Sequence, residues 1–148
     1  MKAIPRQAGY SVAELVTAIA LSTALAGSVA PVASSILNQY RLANATRQLG
    51  FEVARARMEA IGQNVYVRIT LVGTTQYKRE RSTDSGATWS DDGVAVALPT
   101  GFTVAAGTTG TPRFDRQGLA QAATTLTVNG PRGQQTLSVN ILGRTTRS

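Results

Sequence analysis

Gly9-Tyr10-Ser11-Val12-Ala13-Glu14-Leu15 opens the stretch that decides the fold. Lys2 and Arg6 stand before it, and residues 15–40 behind it carry no charged side chain. That is about 26 residues, enough to cross a bilayer core of roughly 30 Å as a helix. One carboxylate, Glu14, lies just inside the N-terminal edge of this apolar block. In an ordinary secretory signal, basic residues lead into an apolar block and a small-residue cleavage site follows it. Here a small residue, Gly9, comes before the block. A cut after Gly9 would leave the block on the mature chain as an anchor.

This arrangement resembles the type IV prepilin family, the pilins and the pseudopilins of type II secretion. In that family a prepilin peptidase cuts after the glycine and methylates the new N-terminus. The resemblance implies a leader over residues 1–9, cleavage after Gly9 and methylation at Tyr10, where most members carry Phe. Glu14 matches the family's glutamate five residues past the glycine, and Pro31 matches its proline partway down the helix. The resemblance further implies that the N-terminal ammonium of a neighbouring subunit neutralises Glu14 during assembly. The competing reading is a plain signal peptide. Ala24-Leu25-Ala26 and Ser28-Val29-Ala30 both fit a small-x-small cleavage site, and a cut there would release a soluble secreted β-protein. That reading leaves Glu14 unexplained, since an unpaired carboxylate costs roughly a few kcal/mol at mid-bilayer and less near the edge.

With 148 residues, one domain plus an anchor is the natural organisation. Hydrophobic residues make up 43%, enough for a small core. The absence of cysteine excludes a disulfide framework. The absence of histidine removes the commonest general base and the commonest metal ligand together. Formal charge is +7. Loss of Lys2 and Arg6 leaves about +5, an excess that favours anionic lipid, nucleic acid or an acidic subunit surface.

Beyond the apolar block the helix is expected to continue. Leu42, Ala45, Leu49, Val53, Ala56 and Ala60 recur at spacings of three and four, which draws one apolar stripe. Arg41, Arg47, Arg55 and Glu59 lie off it. The reading is one helix from Tyr10 to about Ile61, roughly 80 Å long. Its first part, residues 10–35, is expected in the membrane; its second, residues 36–62, is expected amphipathic against a head domain. Pro31 is expected to bend or loosen it. Phe51 and Met58 fall opposite the stripe, either as ordinary surface apolars or as a contact with a neighbouring subunit.

Over residues 63–148 the pattern changes to strands. Val65, Val67, Ile69 and Leu71 alternate with Tyr66, Arg68 and Thr70, a period of two. Further short strands are expected over residues 76–82, 94–98, 102–105, 124–128 and 135–142, with turns at Asp84-Ser85-Gly86, Gln117-Gly118 and Asn129-Gly130-Pro131-Arg132-Gly133. The expected fold class is α+β: a long N-terminal helix with a small antiparallel β head, sandwich or sheet, docked on it. A Phe114-to-Gly118 turn and an ending in Gly143-Arg144 make this layout similar to the GspH/FimT group of minor pilins and pseudopilins.

Motifs for chemistry are sparse. Ser82-Thr83-Asp84-Ser85-Gly86-Ala87-Thr88-Trp89 fits the Asp-box hairpin of sialidase propellers, but one copy in a short chain reads as structure. Asp84 can accept backbone N–H groups, Gly86 can take positive φ, and Trp89 can pack beneath. Asp91-Asp92 is too few oxygen ligands for calcium. The serines and threonines have no histidine to activate them, and no phosphate-binding glycine loop occurs. An enzyme, a cofactor and a metal are therefore not expected. Arg132, Arg144 and Arg147 lie in a C-terminal stretch with no acidic side chain after Asp115. Some FimT-type pilins are thought to bind DNA through a C-terminal Gly-Arg-x-Arg, and here the second arginine comes one residue later.

The expectation is a minor pilin or pseudopilin of a type IV pilus or type II secretion system. It is anchored in the bacterial inner membrane, then assembled near the tip of a periplasmic or extracellular filament. Its partners would be other subunits, the prepilin peptidase and the membrane. A DNA-binding pilin for uptake is the first alternative, with DNA as partner, and a soluble secreted protein the second.

Overall fold

The computed structural model describes residues 9–148, and for residues 25–32 the backbone alone. The chain divides into two compact units, with the boundary between Ile36 and Leu37. Helix α1, Val12–Gln63, contributes to both. It begins in a capping box. The Ser11 hydroxyl accepts from the Ala13 amide at 3.3 Å, and the Glu14 carboxylate accepts from the Ser11 amide at 3.1 Å. Each bond satisfies a donor that the helix start would leave free. Among the described residues no helix is long and apolar enough to cross a membrane. The expected span, residues 10–35, includes side chains that lie outside the described ones, and at Pro31 the backbone continues within α1.

In the second unit α1 buries the whole stripe: Leu42, Ala45, Leu49, Val53, Ala56 and Ala60. Phe51 and Met58 stay exposed. The helix ends two residues later than expected because Asn64, not Gly62, supplies the left-handed residue, at φ 55°. The Val65 amide then donates to the Ala60 carbonyl at 3.2 Å, and the Asn64 amide donates to the Ile61 carbonyl at 3.4 Å. This is the paired bonding of a Schellman cap, with apolar Val65 and Ala60 both buried beside it.

Two antiparallel sheets share the core. The first is five-stranded, in the order β3-β2-β1-β6 with β4 on β2. Its strands are β1 Tyr66–Val72, β2 Gln76–Ser82, β3 Ser90–Asp91, β4 Val96–Ala97 and β6 Arg113–Phe114. The second is four-stranded, in the order β5-β7-β8-β9. It comprises β5 Thr103–Ala106, β7 Thr124–Gly130, β8 Gly133–Val139 and β9 Thr145–Arg147. The core joins the helical stripe to Val67, Ile69, Tyr77 and Phe114 of the first sheet, and to Val104, Leu126, Val128, Leu137 and Val139 of the second. Strand β8 stops at Val139, short of the expected residue 142, and the chain turns at residues 140–143 to return as β9. What reads in sequence as a terminal basic tail is therefore a paired edge strand.

Candidate functional site

At the N-terminus Gly9 and Tyr10 are exposed ahead of α1. Residues 1–8, which belong to the expected leader, lie outside the described ones. Glu14, expected to serve subunit contacts, is already engaged within its own chain as the capping-box acceptor for Ser11. The Ser-x-x-Glu spelling ahead of an apolar run carries that signal in the sequence.

The Phe114-to-Gly118 turn and the Gly143-Arg144 turn meet at one helix side chain. The Arg57 Nε donates to the Gly118 carbonyl at 2.9 Å. Asp115 organises the first turn by accepting from the Gln117 amide at 2.9 Å and the Leu119 amide at 2.8 Å. Gly118 and Gly143 both hold positive φ, 76° and 71°. A Cβ at Gly143 would sit 2.8 Å from the Arg57 side chain and 2.8 Å from the Gly118 carbonyl. Both positions thus need glycine for conformation and for space. Sequence reasoning passed over Arg57. Its place four residues after Val53 and three before Ala60, on the flank of the stripe, is the signal that could have found it.

The Asp-box hairpin folds as expected. Asp84 accepts from the Thr88 amide at 2.9 and 3.0 Å, from the Thr88 hydroxyl at 2.5 Å and from the Ser82 hydroxyl at 2.5 Å. These donors hold its carboxyl well below the usual carboxylate range. Gly86 takes φ 89°, and Trp89 Nε1 donates to its carbonyl at 3.1 Å. Two guanidinium groups lie over the indole, Arg68 at 4.2 Å and Arg113 at 4.8 Å from the ring centroid.

Two ionic clusters dress the first sheet. Glu80, buried on β2, accepts from Arg68 Nε at 2.6 Å and from Thr70 at 2.9 Å, and pairs with Lys78 at 2.9 Å. Burial alone would raise its pKa, but bonds from Lys78, Arg68 and Thr70 outweigh burial and lower it to about 2. Arg79 points toward α1, where Glu52 and Glu59 lie 3.6 and 3.5 Å away, and Asp92 closes the cluster at 3.6 Å. Burial and the neighbouring Asp92 raise the pKa of Glu59. Beside Arg79 lies a cavity of about 200 Å³ that also touches Tyr77, whose phenol is pushed up to about 12 by burial and by Glu52. Among the described residues no cluster of carboxylates could hold a metal ion.

The three C-terminal arginines are not gathered at one place. Arg132 sits in the Pro131-Arg132 turn between β7 and β8. Arg144 stands at the other end of β8, where its amide donates to the Asn140 side chain at 2.9 Å. Arg147 pairs with Leu137 across the ladder and lines a groove of about 500 Å³ with Arg47 of α1.

No family model matches the sequence, and no curated protein matches it. Solved structures do. The type IV minor pilin FimU of Pseudomonas aeruginosa superposes with a TM-score of 0.61 at 15% identity, over 76% of this chain and 92% of FimU. The minor pseudopilin EpsH of the Vibrio cholerae type 2 secretion system superposes at 0.59 and 12% identity, over 73% of this chain and 96% of EpsH. The fold is the α+β fold of minor pilins and pseudopilins.

Proposed function

We propose that the chain is a structural minor subunit of a type IV filament machine, either a type IV pilus or a type II secretion pseudopilus. The observation that carries this reading is the coincidence of two independent features. One is the fold shared with FimU and EpsH. The other is a sequence in which Gly9 and Tyr10 directly precede an uncharged helix bearing Glu14. The chain is made as an inner-membrane precursor. It is cut after Gly9 and methylated at Tyr10, and it enters the filament through residues 10–35, with Glu14 accepting the ammonium of the next subunit and Pro31 easing the packing. The β head then faces outward near the tip, in the periplasm or beyond the cell. Its work is assembly; no turnover is assigned to it.

The test is the mature N-terminus after co-expression with a prepilin peptidase. Sequencing is expected to start at Tyr10, and Gly9→Leu is expected to leave an uncut, membrane-bound precursor. A mature chain starting at Gly27 or Pro31 would defeat this reading and favour a secreted soluble protein.

A further inference from the structure

Strand β9 pairs with β8 on one side and with no other strand among those described. The ladder fixes which backbone groups remain free. Thr136 and Ser148 exchange both amide-to-carbonyl bonds, at 2.8 and 3.0 Å, and the Asn140 amide donates to the Arg144 carbonyl at 3.0 Å. Hydrogen-bonded pairs alternate with unbonded ones in an antiparallel ladder, so Thr146 also bonds inward and Thr145 and Arg147 do not. The N–H and C=O of Thr145 and Arg147 therefore point away from β8.

The same register sets the side chains. Thr145 and Arg147 lie opposite Val139 and Leu137, so all four share the sheet face that covers the core. Leu137 is in contact range of Gly50 on α1, which identifies that face as the helical one. Arg47, one turn earlier on α1, borders the same groove as Arg147. No Asp or Glu side chain among the described residues pairs with either arginine.

From this juxtaposition of a free strand edge and two uncompensated arginines, we propose that β9 is a docking edge for an extended segment of an acidic partner polypeptide. The segment adds as a further strand, bonding to the backbone of Thr145 and Arg147. Its alternate side chains fall on the helical face, where carboxylates two residues apart meet Arg147 and Arg47. A second copy of β9 is a poor occupant, because it would bring a further Arg147, and no carboxylate, to a face that already carries Arg147 and Arg47. The charge that blunts this edge toward its own kind thus selects an opposite one. Duplex DNA could take the arginines but offers no row of matched donors and acceptors for the strand. This inference names a partner chemistry for the assembly role and rests on that role only for where the partner is found.

The test uses the full chain in nonionic detergent and a labelled decapeptide alternating Thr and Glu, read by fluorescence anisotropy. Its twin alternating Thr and Lys and a duplex of about 20 base pairs serve as comparisons, a length that spans roughly two helical turns. The Glu peptide is expected to bind and to slow hydrogen exchange at the Thr145 and Arg147 amides. The Lys peptide is expected to bind about tenfold more weakly or worse. Thr145→Pro removes an outward N–H without touching the β8 ladder and is expected to weaken the Glu peptide about tenfold. Arg47→Glu, which alters no strand, is expected to do the same and stands in if Thr145→Pro fails to fold. Unchanged affinity in both variants, or unprotected amides at Thr145 and Arg147, overturns the proposal. So does binding of the duplex without the peptide, which assigns the groove to nucleic acid, or binding of neither. Processing at Gly9 is unaffected by any of these results, so the two readings fail separately.

Discussion

Arg57 and Gly118, 61 positions apart in the chain, are joined by a single bond: the arginine Nε donates to the glycine carbonyl at 2.9 Å. That bond ties the helix to the turn after β6, and Gly143 leaves room for it from the turn before β9. The helix is thereby fastened to both sheets at their connecting turns as well as through the core.

Breaking this fastening is expected to destabilise the head. Arg57→Ala loses a charge-assisted bond to a buried carbonyl, about 1–3 kcal/mol. Gly143→Ala forces a Cβ into a left-handed position already closed by Arg57 and the Gly118 carbonyl, with a loss of about 1–3 kcal/mol. The double variant should lose less than the sum, because the two residues share one contact. Urea midpoints with unchanged slope would measure all three. Strict additivity would show that Gly143 does not act through Arg57.

Acid should expose the Glu80 cluster. Its carboxyl is lowered from an ordinary 4.5 to about 2, so its contribution is full above 4.5 and lost as pH falls toward 2. Over that window the loss is up to about 3 kcal/mol. Glu80→Gln is expected to lower stability at pH 7 and to flatten the acid limb. Glu59 has the opposite sign. Burial and Asp92 raise its pKa, so its ionisation opposes folding as pH rises. Glu59→Gln should therefore raise stability at pH 7, an advantage absent in acid. Chemical denaturation of each variant at pH 7 and pH 4 separates the two. Parallel losses in both variants would contradict this assignment.

Local pattern carried much of this fold, and distance in sequence hid the rest. The six stripe residues and the inward Val67 and Ile69 of β1 are legible because burial in an amphipathic helix and alternation in a strand are periodic. The Asp-box bonds are legible because Ser82, Asp84, Gly86 and Thr88 are neighbours. Strand β9 is not: its three residues are all exposed, so no apolar alternation marks it. Nor are the two arginines over Trp89, which come from β1 and β6 and meet only once the first sheet has formed. Arg57 reads as one more charge on a polar helix face until Gly118 is brought to it. In the candidate site, the capping bond of Glu14 is spelled locally by Ser11-x-x-Glu14, whereas the facings of the C-terminal arginines needed the register.

Glu14 invites a substitution series that separates its capping bond from the proposed subunit contact. Glu14→Gln keeps an oxygen for the Ser11 amide but loses the charge, whereas Glu14→Ala loses both. If Glu14 also meets a neighbouring subunit's ammonium, both variants should be cleaved normally and both should be depleted from sheared filaments. If capping alone matters, Glu14→Gln should incorporate like the parent and only Glu14→Ala should fail, with a cap loss of about 1 kcal/mol. Quantitative blotting of filament and membrane fractions reads the difference.

The C-terminal arginines give a last test, of salt dependence. If the head captures DNA through phosphates, duplexes of unrelated sequence should bind alike, and affinity should fall steeply with salt. The register places Arg144 with Thr146 on the outer face and Arg147 with Thr145 on the helical face. One duplex surface therefore meets one of the two. Changing both to Gln should lower the salt slope by about one unit, the value for a single phosphate contact, and not by two. Lys78 and Arg79 are poor substitutes, since Lys78 pairs with Glu80 and Asp91 and Arg79 faces three carboxylates. We expect weak duplex binding by the full chain at low salt. A slope reduced by two units would mean that the β9 edge rearranges to bring both arginines to one side. No binding at the lowest salt would leave Arg132, Arg144 and Arg147 without a nucleic-acid role.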